Sequence, residues 1–263
     1  MIRILTSTSI ALLFLALVSS CADKSHKEKG FSVSPESERA GDEKIDGIKK
    51  DTIPLNTRPL QVLLTGYSNH RLTSIFKVNY NKKKDQYFTG SNSFYRNYLD
   101  FGRANGNNWN NNFMPGFAAT YGFNMVNISH HEVETQETRL LFNEPVLVRT
   151  LYYPSFSKDT LNYIPVERGY YMVSAYDEDT NKDNFINLKD LRRFYQFDLD
   201  GKQKTELVPK NYSVIKSEYD SANDFMYIYA QIDSNNNGMS DETEEIHVFW
   251  IDLKNPKNRG RHY

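Results

Sequence analysis

Two twelve-residue segments of the chain carry oxygen-bearing side chains at the same relative positions. The first covers residues 179–190 and the second covers residues 233–244. Asp, Asn and Glu at alternating positions can turn several oxygens toward the inside of a curled loop. Calcium takes about six to eight oxygen ligands, so each segment has the side chains to enclose one calcium ion.

Both segments resemble the calcium loop of the EF-hand family in its dockerin form. In the first loop, the resemblance implies the ligands Asp179, Asn181, Asp183, Asn187 and Asp190, with Phe185 contributing its backbone carbonyl. In the second loop, it implies Asp233, Asn235, Asn237, Asp241 and Glu244, with Met239 contributing its backbone carbonyl. The sixth position needs a sharp turn, which Asn184 and Gly238 would supply.

The surroundings of the loops differ from those of an EF-hand. Ser240 stands where most such loops carry an aliphatic residue, and strand-like sequence flanks both loops in place of helices. Asp/Asn-rich segments can also be plain turns. Two matches at equivalent places in a repeat favour two Ca²⁺ sites with a structural role, in calcium-clasped β-hairpins. Three carboxylates per loop suggest modest affinity, with Kd of about 10⁻⁵ to 10⁻³ M.

The amino terminus has the pattern of an export signal, predicted over residues 1–20. Its apolar run at 10–18 would rise about 13.5 Å as a helix, against about 30 Å of bilayer hydrocarbon, which is typical of a signal peptide. Residues 18–21 resemble the lipobox of bacterial lipoproteins, and Cys21 is the only cysteine. The resemblance implies a lipid anchor on Cys21, and Ala22 favours the outer membrane. A soluble secreted protein with a chance cysteine is the alternative.

Composition divides the rest of the chain into two parts. Residues 21–57 are rich in charged and small residues, with Phe31 as the only aromatic, so we predict a lipid-anchored flexible linker. Residues 58–263 form the predicted folded domain. A net charge of −1 gives no basic surplus for nucleic acid, and a mean hydropathy of −0.66 excludes a multi-span membrane protein.

Alternating β-branched and aromatic residues predict an all-β domain. The predicted strands cover residues 74–80, 86–89, 145–153, 170–176, 225–230 and 245–253. A shift of 54 residues places Met172 on Met226 and Asp179 on Asp233, so each repeat is a strand, an acidic loop and a second strand. Such repeats suggest propeller blades or stacked hairpins.

The repeat is similar to that of TolB-type β-propellers, at residues 197–201 and again at 219–224. The resemblance implies a propeller-like fold with the two calcium loops as insertions. The domain has room for about four blades, whereas that family has six. A β-sandwich is the alternative.

Aromatic residues offer a candidate ligand platform. Trp109 lies in the Asn-rich segment 101–116, and Tyr152 and Tyr153 are neighbours in a predicted strand. If they were exposed together, they could bind carbohydrate. A tryptophan that folds back to hold its own loop is the alternative.

Enzyme motifs are scarce, and we predict that the chain is not an enzyme. The sequence has no Gly-x-Ser-x-Gly, no His-Glu-x-x-His and no phosphate-binding loop. His130, Glu132 and Glu134 could share one strand face and bind zinc, but a polar face beside a turn is the favoured interpretation. Asp198 and Asp200 could be a glycosidase pair, although the glycine that follows favours a hairpin turn.

The whole chain also resembles Bacteroidota lipoproteins of unassigned activity. We therefore expect a cell-envelope lipoprotein whose calcium-stabilised β domain binds another envelope protein or a glycan. The alternatives are a carbohydrate-binding module and an envelope hydrolase whose site has no recognisable motif.

Overall fold

The computed structural model describes residues 31–32, 55–81, 85–89, 92–95 and 114–263. The predicted signal peptide, Cys21, most of the predicted linker and Trp109 lie outside these residues. Within them the regular structure is all β-strand, as predicted. None of the residues described belongs to a helix long and apolar enough to cross a membrane.

The described residues form eighteen strands. They are β1 (Phe31–Ser32), β2 (Thr57–Leu64), β3 (His70–Asn81), β4 (Gln86–Thr89), β5 (Asn92–Tyr95), β6 (Phe117–Glu132), β7 (Thr138–Leu140), β8 (Leu147–Pro154), β9 (Asp159–Leu161), β10 (Ile164–Val166), β11 (Tyr170–Tyr176), β12 (Phe185–Ile186), β13 (Arg193–Asp198), β14 (Lys204–Glu206), β15 (Tyr212–Asp220), β16 (Phe225–Ile232), β17 (Ile246–Asp252) and β18 (Arg259–Arg261).

These strands form antiparallel sheets of very different sizes. A ten-stranded sheet has the order β14-β13-β11-β8-β6-β3-β2, with β4 paired to β3 and with β5 and β7 paired to β6. A four-stranded sheet contains β15 to β18 in chain order, and two short pairs are β9 with β10 and β1 with β12. Equal blades are therefore not seen in the part of the chain that is described, and the propeller-like arrangement is not shown.

The two larger sheets pack face to face over a shared hydrophobic core, which fits a β-sandwich. The ten-stranded sheet contributes Phe117, Tyr152, Tyr170, Met172 and Phe194, and the four-stranded sheet contributes Met226, Ile228, Phe249 and Ile251. The opposite face of the ten-stranded sheet forms a second core with Phe76, Ile128, Leu151, Tyr171, Val173 and Phe197. Strands β8, β11 and β13 are thus buried on both faces, which explains their dense apolar sequences.

The sequence repeat corresponds to two hairpins that lie in different sheets. Strands β11 and β13 pair in the ten-stranded sheet, and β16 and β17 pair in the four-stranded sheet. Met172 pairs with Gln196, whereas Met226 pairs with Ile251, one residue beyond the equivalent position. Each hairpin encloses one of the two candidate calcium loops.

A buried ion pair joins the two large sheets. Arg168, which precedes β11, is 1% exposed and donates from both terminal nitrogens to the carboxylate of Asp224, at 2.9 and 2.7 Å. The guanidinium also donates to the carbonyls of Leu253 and Pro115. Because Arg168 precedes β11 and Asp224 lies in the turn between β15 and β16, this pair connects the two layers at the ends of their strands.

Two residues of the predicted linker pair with the first loop. Phe31 lies opposite Ile186 and Ser32 opposite Phe185, which forms the short β1-β12 ladder. Ile186 is buried with Val126, Leu147 and Tyr176 in a third small core. The eighth position of the first loop is therefore anchored in the domain.

Candidate metal centre

The loops at 179–190 and 233–244, named loop 1 and loop 2 here, are folded by the same hydrogen bonds. At the first position, the Asp179 carboxylate accepts the N–H groups of Asp183 and Asn184 at 3.0 and 2.9 Å. The Asp233 carboxylate accepts those of Asn237 and Gly238, both at 3.0 Å. Each first residue thus draws the fifth and sixth residues of its loop around itself.

The third and fifth positions also match between the loops. Oδ1 of Asn181 accepts the N–H of Asp183 at 2.9 Å, and Oδ1 of Asn235 accepts that of Asn237 at 2.8 Å. Asp183 in turn accepts from Phe185 at 3.0 Å, as Asn237 does from the N–H of the seventh residue of loop 2 at 2.8 Å. These short side-chain turns curl the first half of each loop.

The twelfth residue closes each loop onto its own beginning. Oδ1 of Asp190 accepts the N–H groups of Thr180 and Asn181 at 2.8 and 3.3 Å. Oε1 of Glu244 accepts those of Ser234 and Asn235 at the same two distances. A carboxylate at the twelfth position therefore lies beside the second and third residues in both loops.

Backbone conformation agrees as well. The fourth and sixth residues have positive φ in both loops, at 59° and 67° for Lys182 and Asn184 and at 56° and 74° for Asn236 and Gly238. Glycine adopts this region freely, and Asn tolerates it better than most residues. The predicted sharp turn at the sixth position is confirmed in both loops.

The closing carboxylates differ in what their second oxygen contacts. Oδ2 of Asp190 accepts the N–H of Asn187 at 2.8 Å. Oε2 of Glu244 is buried and has no hydrogen-bond partner among the described residues. Glu244 is only 9% exposed, and its Oε1 is bound to the start of loop 2, so the unpartnered oxygen lies within that loop. A buried carboxylate oxygen without a partner is costly unless a cation or a donor meets it.

Burial also shifts the pKa of one carboxylate in loop 1 and of one that lies just before the loop. It raises the pKa of Asp190 above its ordinary value, and the N–H groups donated by Asn187, Asn181 and Thr180 partly oppose this rise. Burial likewise raises the pKa of Asp177, which precedes the loop and accepts the hydroxyl of Tyr195. Both carboxylates therefore lie in surroundings that disfavour an uncompensated negative charge.

Asp241, one of the predicted ligands of loop 2, is held in a local turn. Asp241 accepts the N–H and the hydroxyl of Thr243, both at 3.0 Å, and these bonds hold its pKa below the ordinary value. Asp241 thus caps a local turn two residues ahead of itself. The carboxylates that do meet the hydrogen-bonded backbone of loop 2 are those of Asp233 and Glu244.

The described part of the chain contains no group of three or more His, Cys, Asp or Glu side chains placed to hold a metal ion. The oxygen donors of the loops include Asn side chains, namely Asn181 and Asn187 in loop 1 and Asn235 and Asn237 in loop 2. A site made of such mixed donors suits calcium, which accepts amide and backbone carbonyl oxygens as well as carboxylates. Calcium binding by the loops stays a prediction.

Sequence reasoning missed two residues that hold the loops. Thr180, the second residue of loop 1, accepts the N–H of Leu191 on its hydroxyl at 2.9 Å. Gln231 in β16 donates from Nε2 to the carbonyls of Asp241 and Glu244 and accepts the hydroxyl of Ser240. Neither position carries a motif, because both act through contacts that only the folded hairpins create.

The aromatic platform proposed from sequence is not formed by the tyrosines. Tyr152 and Tyr153 are each 3% exposed, because β8 is central in the ten-stranded sheet and covered on both faces. Tyr152 packs in the core between the sheets and Tyr153 in the core on the opposite face. The expectation that they bind a ligand at the surface is wrong, and Trp109 lies outside the described residues.

The histidine cluster also differs from expectation. His130 is completely buried in β6, whereas Glu134 lies in the exposed turn that follows, so these two side chains do not share one strand face. His130 Nε2 lies 3.1 Å from both His70 Nδ1 and the carbonyl of Leu199, while His130 Nδ1 is buried with no hydrogen-bond partner among the described residues. The zinc ligands considered for this segment are not brought together.

Because His130 is buried, we predict a pH-dependent loss of stability. Burial lowers the pKa of His130 below its ordinary value of 6.5, and His70 and Arg139 lower it further, against weaker opposition from the Leu199 carbonyl and Asp200. The ring therefore takes up a proton more readily after unfolding. Its contribution to the free energy of unfolding is complete above pH 6.5 and decreases as the pH falls below that value.

Denaturant unfolding between about pH 7.5 and about pH 5 checks this prediction. His130→Gln should lose less stability than the wild type over that range, whatever its stability at the upper pH. His131→Gln is the matched control, because the His131 ring lies on the exposed side against Thr138. Equal pH dependence in all three proteins would contradict the prediction.

The Asp198 and Asp200 segment forms the predicted turn. The N–H of Gly201 donates to the carbonyl of Asp198 at 3.0 Å, and Gly201 has a φ of 68°. Oδ1 of Asp198 accepts the N–H groups of Lys202 and Gln203. The carboxylate of Asp198 thus holds the hairpin between β13 and β14.

Comparison with models of protein families gives no match to this chain, and comparison with curated proteins gives none either. The resemblances to lipoproteins, to dockerin loops and to TolB-type repeats therefore have no support beyond the residues that suggested them.

Proposed function

We propose that the chain is a cell-envelope lipoprotein whose β domain is stabilised by calcium at loops 1 and 2 and serves as an interaction module. In this proposal the fold is a β-sandwich, and each layer contributes one calcium hairpin. The observation that carries the proposal is the matched hydrogen bonding of the two loops, at the first, third, fifth and twelfth positions.

The charge of loop 2 supports a cation in particular. Asp233 and Glu244 are each 9% exposed, so two carboxylates of one loop are largely withdrawn from water. Backbone N–H groups satisfy Asp233 and one oxygen of Glu244, and the other oxygen of Glu244 meets no donor within the described ranges of the chain. Calcium would offset the desolvation of both groups, because two nearby carboxylates would become its ligands.

The envelope location and the interaction role have different supports. The location rests on the apolar run at 10–18 and the lipobox-like residues that end at Cys21. The interaction role is favoured by the hairpin of β9 and β10, which presents Tyr163 and Ile164 at 97% and 68% exposure. Large apolar side chains exposed together at the tip of a hairpin are typical of a contact surface.

Calorimetric titration of the purified chain with calcium tests the calcium part of the proposal. The wild type should bind two ions, and Asp179→Ala and Asp233→Ala should each bind one, because each substitution removes the carboxylate around which its loop is curled. Full stoichiometry in both variants would refute the assignment to these loops. No heat of binding in the wild type would refute the calcium proposal itself.

A further inference from the structure

The two loops contact each other directly, although their hairpins belong to different sheets. The hydroxyl of Thr180, the second residue of loop 1, donates to the carbonyl of Gly238, the sixth residue of loop 2, at 2.6 Å. A Cβ on Gly238 would overlap the backbone of Thr180 and Asn181. The close approach of the loops therefore requires glycine at this position.

Each side of this contact continues to a carboxylate of its own loop. On the side of loop 1, the N–H of Thr180 donates to Oδ1 of Asp190 at 2.8 Å. On the side of loop 2, the N–H of Gly238 donates to Oδ2 of Asp233 at 3.0 Å. A continuous path of hydrogen bonds and single residues thus joins the twelfth residue of one loop to the first residue of the other.

The contact does not use the eighth positions of the loops. Ile186 of loop 1 pairs with Phe31 through the backbone, and Ser240 of loop 2 donates its hydroxyl to Gln231. The second and sixth positions, at Thr180 and Gly238, carry the contact instead. Movement of the loop 1 backbone near Asp190 would therefore shift Thr180 and, through it, the turn of loop 2 at Gly238.

Oε2 of Glu244 has no hydrogen-bond partner among the residues described, and this supports a cation in loop 2 independently of the bonds that shape the loop. This side chain is more than nine-tenths buried, and its Oε1 accepts the N–H groups of Ser234 and Asn235. The carboxylates of Glu244 and Asp233 are thus both held by the backbone of loop 2, which also carries Gly238.

We propose that loops 1 and 2 form one coupled calcium unit, in which calcium at either loop raises the affinity of the other through the contact between Thr180 and Gly238. This inference rests on the proposed calcium function. Allosteric coupling between sites typically changes affinity by about 5- to 150-fold, and the effect is reciprocal. Binding at loop 1 would order Asp190 and Thr180. Binding at loop 2 would then cost less conformational entropy, because the residue that Gly238 contacts is already ordered.

Disabling one loop and measuring the affinity of the other tests the coupling. In calorimetric titrations of the full chain, Asp179→Ala should lower the calcium affinity of loop 2 at least about 5-fold, relative to the second-ion affinity of the wild type. In a Gly238→Asn background, Asp179→Ala should leave the loop 2 affinity unchanged. Asn at this position keeps the turn, because loop 1 itself has Asn184 there at a φ of 67°, but its Cβ blocks the contact.

A second pair of variants, at Thr180, tests the same coupling even if the Gly238→Asn protein does not fold. Thr180→Val deletes the hydroxyl and should lower cooperativity, while Thr180→Ser retains the hydroxyl and should restore it. Coupling is overturned if the wild type binds two ions and the loop 2 affinity does not respond to Asp179→Ala, or if Thr180→Val keeps full cooperativity. A wild type that binds no calcium overturns the proposed calcium function as well. Failure of the coupling alone can therefore be told apart from failure of the proposed function.

Discussion

Asp224→Asn should lower the free energy of unfolding by about 3–5 kcal/mol, the largest effect we expect from a single substitution. The change preserves side-chain shape, and Asn tolerates the φ of 61° at this turn. It leaves the charge of Arg168 buried without its carboxylate, at a position where the guanidinium is 1% exposed. Because one pair joins both sheets, its loss should also weaken their packing.

The matched control is Glu137→Gln. Glu137 and Arg139 form an ion pair of 2.7 Å, the same length as the contact between Arg168 and Asp224, but the Glu137 side chain is 60% exposed. Exposed pairs contribute about 0–1 kcal/mol, so Glu137→Gln should be nearly silent in denaturant unfolding. If both variants lost the same small amount of stability, the buried connection between the sheets would be wrong.

The six strand segments that the sequence predicts each correspond to a strand, because their signals are local, whereas β2, β6 and β15 were not among them. The dense run of Tyr, Met and Val at residues 170–176 predicts β11, and the clearest predicted strand, 245–253, contains β17. The loop turns were also predictable, since positive φ at Asn184 and Gly238 depends on the residue type at one position. Such features need no knowledge of distant contacts.

The assignment of strands to sheets could not be predicted in the same way. Two hairpins with similar sequences lie in different sheets, because β11 pairs with β8 in the ten-stranded sheet and β16 pairs with β15 in the four-stranded sheet. Arg168 and Asp224 are far apart in sequence, and no pattern connects them. Tyr153 resembled a surface residue because sequence does not reveal that β8 is covered on both faces.

The candidate site was predictable for the residues that curl and close each loop and less so for Asp241, at the ninth position of loop 2. Asp179 and Asp233 act on backbone groups four and five residues ahead, which spacing alone indicates. Asp241 has a competing partner, Thr243, only two residues away. Short polar side chains often take such local partners, and spacing cannot decide between a ligand and a cap.

Asp233→Asn should remove most of the calcium-dependent stability of loop 2. A site with Kd near 10⁻⁵ M stabilises the folded state by about 2.7 kcal/mol at roughly millimolar calcium. Asp233 is where that stabilisation should be most sensitive, because its carboxylate accepts the N–H groups of Asn237 and Gly238 and would also be the first ligand. Thermal melts in calcium and in chelator should differ far less for this variant than for the wild type.

Asp241→Asn is the matched control, because it removes the same charge from the same loop. Its carboxylate is bound to Thr243 and lies outside the hydrogen bonds that curl the loop, so the difference between calcium and chelator should stay close to that of the wild type. If Asp241→Asn lost as much as Asp233→Asn, the side chain must leave Thr243 to reach the ion, and the ligand set implied by sequence would be the correct one. If neither variant changed the difference, loop 2 would be a turn held by its own hydrogen bonds, and Glu244 would need another partner.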